Sequence, residues 1–225
     1  MRSTVILGAG ASRGASFADS SRQVLPPLDA DFFQQAQRLD EASYKEAGRE
    51  VIEFVRDEYG TTELPTLETL FTQLQGYEQF LQQFYSRRGR KPGAYKKQLD
   101  HLLDLIPLLF RAAFDKQRCE WHDRIAYALR KGDAVISFNY DVLIDEALAR
   151  LSKGIWKADR GYGVRLTEGV EKWSAEPTRS FAYKEFLRLL KPHGSLHWVI
   201  RSGGKERSLR LRGDAYWSSP GFDDT

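Results

Sequence analysis

The fold is decided by a stretch near the start of the chain, Val5-Ile6-Leu7-Gly8-Ala9-Gly10-Ala11-Ser12. A short apolar run that ends in small residues predicts a buried strand leading into a tight turn. The pattern Gly-x-Gly lets the main chain approach a pyrophosphate group, and a helix after it would offer free N–H groups and the positive end of its dipole. A plain tight turn is the alternative interpretation of the same residues.

The glycine pattern departs from that of ordinary dinucleotide-binding dehydrogenases. Position 13 is Arg13, and the next glycine, Gly14, comes one residue too late for the full Gly-x-Gly-x-x-Gly pattern. The sequence also lacks a second strand ending in an acidic residue roughly 20 residues further on, where such enzymes bind the ribose. These differences argue against a redox enzyme.

A second polar group, Ser137-Phe138-Asn139-Tyr140-Asp141, lies at the carboxyl end of a strand predicted from Ala134. Ligands of open α/β sheets bind outside such strand ends. Asn139 offers a donor and an acceptor for ribose hydroxyls or a water molecule, and Asp141 offers an acceptor. Alternatively, the two residues form a turn and cap the helix predicted from Val142 to Leu151.

A third group, Lys191-Pro192-His193-Gly194-Ser195, follows the apolar run that begins at Phe186. Histidine side chains accept protons near neutral pH, and Gly194 permits close approach of the main chain or a ligand. A structural role for His193 is the alternative. His197 shares its face if a strand follows, so it competes for any role given to His193.

The spacing of apolar residues defines the domain organisation. Residues 29–131 have helical periodicity, and the last predicted helix, Tyr95–Leu129, is expected to bend or break near Pro107. Two later segments, Leu196–Arg201 and Ser208–Arg212, resemble a β-hairpin. We therefore expect a single α/β domain over residues 1–225, in which a helical subdomain at about 29–131 interrupts a parallel sheet formed by residues 3–28 and 132–200. The chain end shows no stop signal, so we expect it to be the N-terminal part of a longer protein.

Composition excludes several classes of protein. The 34 Lys+Arg and 31 Asp+Glu residues leave a net charge of +3, without the excess of positive charge expected of a nucleic-acid binder. The basic clusters Arg87–Lys91 and Lys205–Arg212 are interpreted as solvated surface. The single cysteine, Cys119, can form neither an internal disulfide nor a cysteine-cluster zinc site. No run approaches the roughly 18–20 apolar residues of a membrane span, so we expect a cytoplasmic protein without membrane contact.

Together and in this order, the three groups resemble the NAD-binding core of the sirtuin family. The resemblance is greatest to the sirtuin-like NAD-hydrolase domains at the front of bacterial antiphage defence proteins. Leu25-Pro26-Pro27-Leu28 and the block Lys191-Pro192-His193-Gly194-Ser195-Leu196-His197-Trp198 also look like that branch. The similarity extends in outline over residues 4–200, and the helical middle is not diagnostic.

The resemblance implies a role for each matching position. The residues implied to bind NAD, which would be a substrate and would require no metal, are Gly8, Ala9, Gly10, Ala11, Ser12, Asn139, Asp141, Gly194 and Ser195. The glycine loop would hold the diphosphate, whereas Asn139 and Asp141 would lie beside the nicotinamide ribose. His193 matches the catalytic histidine of the family.

Three departures argue against protein deacylation. Deacylating sirtuins carry a four-cysteine zinc module, which one cysteine cannot supply. Their Gly-Ile-Pro-Asp-Phe-Arg loop is missing, and Arg13–Pro27 stands in its place. The glutamine that they place before Asn-x-Asp is Phe138 in this chain. We therefore expect hydrolysis of NAD rather than deacylation.

The expected activity is that of an NAD+ glycohydrolase, which releases nicotinamide and ADP-ribose and acts in antiphage defence by NAD depletion. His193 would accept a proton, Asn139 would orient the ribose or the water, and Asp141 would hold the ribose and stabilise positive charge. The alternative is a non-catalytic module that binds NAD or ADP-ribose and regulates an attached effector. The expected protein partners are further copies of the chain, a sensor or effector, or a fused C-terminal domain.

Overall fold

The computed structural model describes residues 2–19, 21–40, 46–60, 64–85, 95–114, 117–162, 171–172, 186–196, 198–203 and 206–211. The strands are β1 Thr4–Leu7, β2 Ala134–Ser137, β3 Glu171–Lys172, β4 Arg188–Leu190, β5 Trp198–Gly203 and β6 Glu206–Leu211. The helices are α1 Ala9–Arg13, α2 Phe32–Ala36, α3 Glu46–Tyr59, α4 Leu67–Tyr85, α5 Lys96–Phe114, α6 Glu120–Ala128, α7 Leu143–Leu151 and α8 Ala158–Gly161. Three features of the sequence interpretation lie outside the described residues: the loop at Arg87–Gly93, His197, and the side chains of Lys205–Arg212.

The first sheet is parallel and has the strand order β1-β2-β4. Its register pairs Val5 with Val135 and Val135 with Leu189, so apolar residues form a row across the three strands. The ladder continues past β2, because the N–H of Phe138 donates to the carbonyl oxygen of Leu7 at 2.9 Å. The predicted α/β class is confirmed at this level: a small parallel sheet among elements that are mostly helices.

Helices α6 and α7 share one buried core with the first sheet. Side chains alternate along a strand, so Val135 lies in this core whereas Ile6, on the other face of the sheet, is 66% exposed. The buried members of the core are Leu7, Ala126, Leu129, Val135, Ile144, Ala147, Leu148, Trp156, Tyr162, Leu187 and Leu189.

The chain divides into two compact units, Met1–Ala18 with Lys116–Thr225, and Asp19–Asp115. The last part of the segment predicted to be helical, residues 29–131, belongs to the first unit. This part contains α6, which packs against α7. Within the second unit, α5 packs against α3 and α4. Although α4 and α5 each have 19 residues, the helices of the described residues lack the apolar stretch that crossing a bilayer requires.

The segment predicted as one helix, Tyr95–Leu129, is divided in the structure, but not at Pro107. Helix α5 runs through Pro107 without interruption and ends at Phe114, and α6 begins separately at Glu120. Proline removes one main-chain hydrogen bond, to the carbonyl group four residues earlier. That residue, Leu103, lies on the exposed side of α5 at 49% exposure, whereas buried residues such as Leu105 and Leu109 hold the helix in place by packing.

A second sheet has the strand order β3-β6-β5. Strands β5 and β6 pair antiparallel, as the sequence predicted, with Ser202 opposite Arg207. The additional pairing of β3 with β6, which joins Glu171 to Leu209, was not predicted. A two-residue strand is too short to give a periodic signal in the sequence.

A buried carboxylate connects the starts of β1 and β2. Asp133 accepts hydrogen bonds from the main-chain N–H groups of Ser3 at 2.8 Å and Arg130 at 2.9 Å. The bond from Ser3 is the main reason that the pKa of Asp133 lies below its usual value, since the bond favours the charged form. The charged form therefore stabilises the fold.

We predict that Asp133→Asn lowers the free energy of unfolding by about 1 kcal/mol at pH 7, because the amide loses charge and presents a donor to an N–H group. The extra stability that the charged carboxylate gives is fully present above the pKa of an unfolded Asp, about 3.9. It is lost as the pH falls through the lower pKa of the folded state. Urea unfolding between pH 2 and 7 measures this difference. A difference independent of pH would contradict the prediction, and the exposed Asp57→Asn is the control.

Gly161 is required by close packing against Trp156, whose side chain is buried. A Cβ atom at Gly161 would lie 2.1 Å from the indole Nε1. The ring cannot move away freely, because it is 2% exposed and packs edge-on against Tyr162 at 5.4 Å between ring centroids.

We predict that Gly161→Ala lowers the free energy of unfolding by about 2 kcal/mol through overpacking. Gly76→Ala is the matched control, because a Cβ there meets nothing within 4 Å and alanine favours the interior of α4 by up to about 1 kcal/mol. Thermal unfolding should therefore shift in opposite directions for the two variants. Equal shifts would contradict the packing argument.

Candidate functional site

The three groups of polar residues meet at one edge of the parallel sheet. Strands β1, β2 and β4 end at Leu7, Ser137 and Leu190, and the glycine loop, the Ser137–Asp141 group and the Lys191–Ser195 group begin at or just beyond these ends. Parallel strands place their carboxyl ends on the same edge, where open α/β sheets bind ligands. The topology therefore brings together segments that are far apart in the sequence.

Ser12 links the first group to the second. Its hydroxyl group donates to Asp141 Oδ2 at 2.5 Å and accepts from Asn139 Nδ2 at 2.8 Å. Each of the three residues is at most 6% exposed. Because the hydroxyl group both donates and accepts, it fixes which way the carboxylate and the amide point; we call these residues the Ser12 triad.

Asp141 also fulfils the alternative role that the sequence suggested, that of starting a helix. Its Oδ1 atom accepts from the N–H of Leu143 at 3.0 Å, at the first residue of α7. Both carboxylate oxygens are therefore engaged by the protein. An Asp side chain that bonds the main chain two residues on forms a turn of the Asx type.

Asn139 retains one free hydrogen-bonding atom. Its Oδ1 is buried and has no partner within the part of the chain that the structure describes. Buried polar atoms are rarely left without a partner, and a bound ligand or water supplies one in many functional sites. The free atom is an acceptor, so it suits a hydroxyl or N–H donor of a ligand.

The glycine loop leaves space above its main chain. A Cβ atom added at Gly8 or at Gly10 would meet nothing within 4 Å, so a ligand could approach the backbone closely there. Gly8 and Ala9 are exposed, whereas Ala11 packs against the core. The helix that follows is a single turn, Ala9–Arg13, so the dipole contribution expected from the sequence is small.

His193 lies beside the second group. Its ring centroid is 5.4 Å from that of Phe138, in an edge-on arrangement, and 6.1 Å from that of Tyr140. The turn is held by Gly194, whose φ of +86° favours glycine, and by the N–H of Leu196, which donates to the carbonyl oxygen of Tyr140 at 2.9 Å. The imidazole is exposed, whereas Gly194 and Ser195 are half-buried.

The sequence analysis did not predict a buried ionic group formed by Lys191, Asp145 and Tyr162. Lys191 Nζ donates to Asp145 Oδ2 at 3.0 Å and to the main-chain carbonyl oxygen of Asp141. Tyr162 donates to the other carboxylate oxygen of Asp145, and burial followed by this negative charge raises the pKa of Tyr162 well above its usual value. Asp145 lies in the first turn of α7, where acidic residues are common, so the sequence carried no specific signal for this ionic group.

The next residue of α7 adds an acidic group with unusual titration. The pKa of Glu146 is raised to about 7, mainly by burial and in the same direction by the negative charge of Asp145. The first turn of α7 thus carries two acidic residues, and Lys191 pairs with the first of them, Asp145. Among the described residues, no three His, Cys, Asp or Glu side chains are grouped as a metal site would require.

No protein-family model matches the sequence, and no curated protein matches it significantly. The interpretation of the site therefore depends on its geometry and on the motifs that the sequence carries.

We predict that Ser12→Ala lowers the free energy of unfolding by about 2 kcal/mol, because it leaves the buried groups of Asn139 and Asp141 without a partner. Ser16→Ala is the matched control: Ser16 is exposed, its hydroxyl accepts only the N–H of Glu120 at 2.9 Å, and its loss should cost less than about 1 kcal/mol. Chemical denaturation of both variants measures the difference. Equal losses would show that the Ser12 triad does not depend on its hydroxyl group.

Proposed function

We propose that this protein is an NAD+ hydrolase that cleaves the bond between nicotinamide and ribose, giving nicotinamide and ADP-ribose. We propose further that its small parallel sheet belongs to a Rossmann-like NAD-binding fold of the sirtuin type. The observation that carries the proposal is the meeting of the glycine loop, the Asn139–Asp141 segment and His193 at one sheet edge. The three segments follow one another along the chain in the same order as the sirtuin motifs that they resemble.

Two features of the site support binding of a dinucleotide. The open space above Gly8 and Gly10 suits close contact between the main chain and a diphosphate. The free acceptor of Asn139 suits a ribose hydroxyl group. These features lie on the ends of neighbouring strands, as the parts of one extended ligand require.

The reaction makes modest demands on the protein. Oxidised nicotinamide is cationic, so the electron pair of the broken bond neutralises it and no general acid is needed. The oxygen of water forms the new bond to the ribose carbon, and its surplus proton must be accepted. The transition state resembles the oxocarbenium ion of glycoside hydrolysis. The site must therefore orient the ribose, place a water molecule and stabilise positive charge.

Each residue of the site suits one of these tasks. His193 is exposed to solvent, so it can accept the proton from water and pass it on. Asn139 orients the ribose or the water through its free acceptor. The protein engages both oxygens of Asp141, so this residue acts through its negative charge, which stabilises positive charge that develops nearby.

A second candidate function is a non-catalytic module that binds NAD or ADP-ribose. The observation that favours it is the surroundings of His193: its neighbours among the described residues are the rings of Phe138 and Tyr140, not a carboxylate that would orient a base. Such a module would regulate an attached effector. Binding without product formation would distinguish it from the hydrolase.

The resemblance to antiphage proteins supports a biological role in bacterial defence by NAD depletion in the cytoplasm. On this proposal the chain has a basal activity that assembly raises, either with further copies of the chain or with a sensor or effector that can also be a fused domain. Antiviral defence would require a controlled NAD hydrolase, because uncontrolled turnover would deplete the host.

We predict that wild-type protein releases nicotinamide from NAD and that His193→Ala lowers the rate by about 10²–10⁴, the usual contribution of one positioned proton acceptor. Asn139→Ala should also lower the rate, because the ribose or the water loses the group that orients it. Chromatography of nicotinamide and ADP-ribose measures turnover, and calorimetry measures NAD binding. His101→Ala, in the helical unit, is the control and should match wild type.

Three outcomes are distinguishable. Variants as fast as wild type would overturn the assigned roles. Tight binding of NAD without product would favour the regulatory module. A wild-type protein that neither binds nor cleaves NAD would overturn both candidate functions.

A further inference from the structure

We infer that Asp145, together with Lys191 and Tyr162, forms a buried clamp that fixes the position of the His193 turn relative to the Ser12 triad. These are positioning residues, because each acts through other residues of the site. The side chains of Lys191 and Asp145 are both 0% exposed, and the Tyr162 residue is 4% exposed. The inference deepens the proposed function, and its consequence for turnover rests on that function.

Lys191 provides the first arm of the clamp. It is the first residue after β4 and lies two positions before His193. Its ammonium group donates to Asp145 on the first turn of α7 and to the carbonyl oxygen of Asp141 just before that helix. The start of the His193 turn is thereby tied to the segment that contains the Ser12 triad.

Tyr162 provides the second arm, which holds the other end of the same turn. Its hydroxyl group donates to Asp145, and its ring packs edge-on against Trp198 with 5.3 Å between ring centroids. Trp198 is the first residue of β5, so residues 191 and 198 are both held by one carboxylate, directly or through Tyr162. Between them, the N–H of Leu196 bonds to the carbonyl oxygen of Tyr140.

Stability alone does not explain why a lysine and an aspartate occupy this place. A well-packed apolar pair is often as stable as a buried ion pair, since charges lose their hydration on burial. An ion pair differs in being directional: it defines which atoms meet and at what distance. Here it defines how the end of β4 is placed against the start of α7, and His193 is the third residue after β4.

The test uses the full chain and compares four variants. Lys191→Met removes the charge, and the double variant Lys191→Met with Asp145→Leu replaces the pair by apolar groups so that no charge is left buried alone. Tyr162→Phe removes only the hydroxyl group. Leu148→Ala is the control, because it creates a cavity in the same buried core but leaves the hydrogen bonds of the clamp in place.

Two NMR signals report the position of the turn without any ligand. The amide of Leu196 reports its bond to Tyr140 through hydrogen exchange, and the Hε1 proton of His193 reports the nearby rings of Phe138 and Tyr140 through its chemical shift. We expect the double variant to remain folded, the Leu196 amide to exchange at least tenfold faster, and the His193 signal to move. The signal of His122, buried in α6, should stay unchanged.

If the clamp only stabilised the fold, any equally destabilising variant, including Leu148→Ala, would change both NMR signals. The positioning role predicts a different pattern. Leu148→Ala should lower the unfolding temperature without selective change at Leu196 or His193, and Tyr162→Phe should give a smaller change in both signals than the double variant. Wild-type exchange at Leu196 and a wild-type His193 signal in the folded double variant would overturn the inference. If Lys191→Met or the double variant does not fold, Tyr162→Phe decides by the same two signals.

Turnover provides an independent measurement. If wild type hydrolyses NAD, the double variant should lose at least tenfold in kcat while KM changes little, because the clamp positions His193 rather than the glycine loop. An unchanged kcat would contradict the clamp as a positioning device. If wild type shows no hydrolysis, the proposed function fails, and the NMR signals still decide whether the clamp exists.

Discussion

The parallel pairing of β1, β2 and β4 is the constraint on which the rest of the molecule depends. It aligns the carboxyl ends of three strands from distant parts of the chain, so that Ser12 can bond to Asp141 across 129 positions of sequence. Parallel strands require long crossover connections, and the first of these contains the whole helical unit. The candidate site is therefore a consequence of topology more than of any single motif.

Buried polar groups then determine the detailed arrangement of this edge. In a low dielectric, a satisfied network holds its members firmly, and an unsatisfied atom is costly. Ser12 and Asp145 each connect several segments, and most of their partners are fully engaged. The Oδ1 atom of Asn139 contrasts with this pattern, because it is buried at this edge and has no partner among the described residues.

Structural and functional interpretations coincide at Asp141. The residue begins α7 through the N–H of Leu143 and also accepts the Ser12 hydroxyl group, so the turn anticipated as an alternative is present within the candidate site. The same holds for Phe138, which appeared in the sequence only as a departure from the deacylase pattern and in the structure packs against His193. A structural contact of Asp141 or Phe138 is therefore compatible with a role of the same residue in the candidate site.

The sequence by itself determined the strands at Val5 and Val135, the helix after Asp141 and the chain positions of His193 and the glycine loop, because apolar periodicity and turn chemistry are local properties. It could not determine how α5 tolerates Pro107 or that α1 would be a single turn, since packing decides both. Only the tertiary structure placed Lys191 on Asp145 and His193 beside Phe138. Those contacts depend on which strands pair and in which register, and no local pattern encodes the distance between residues that meet only after folding.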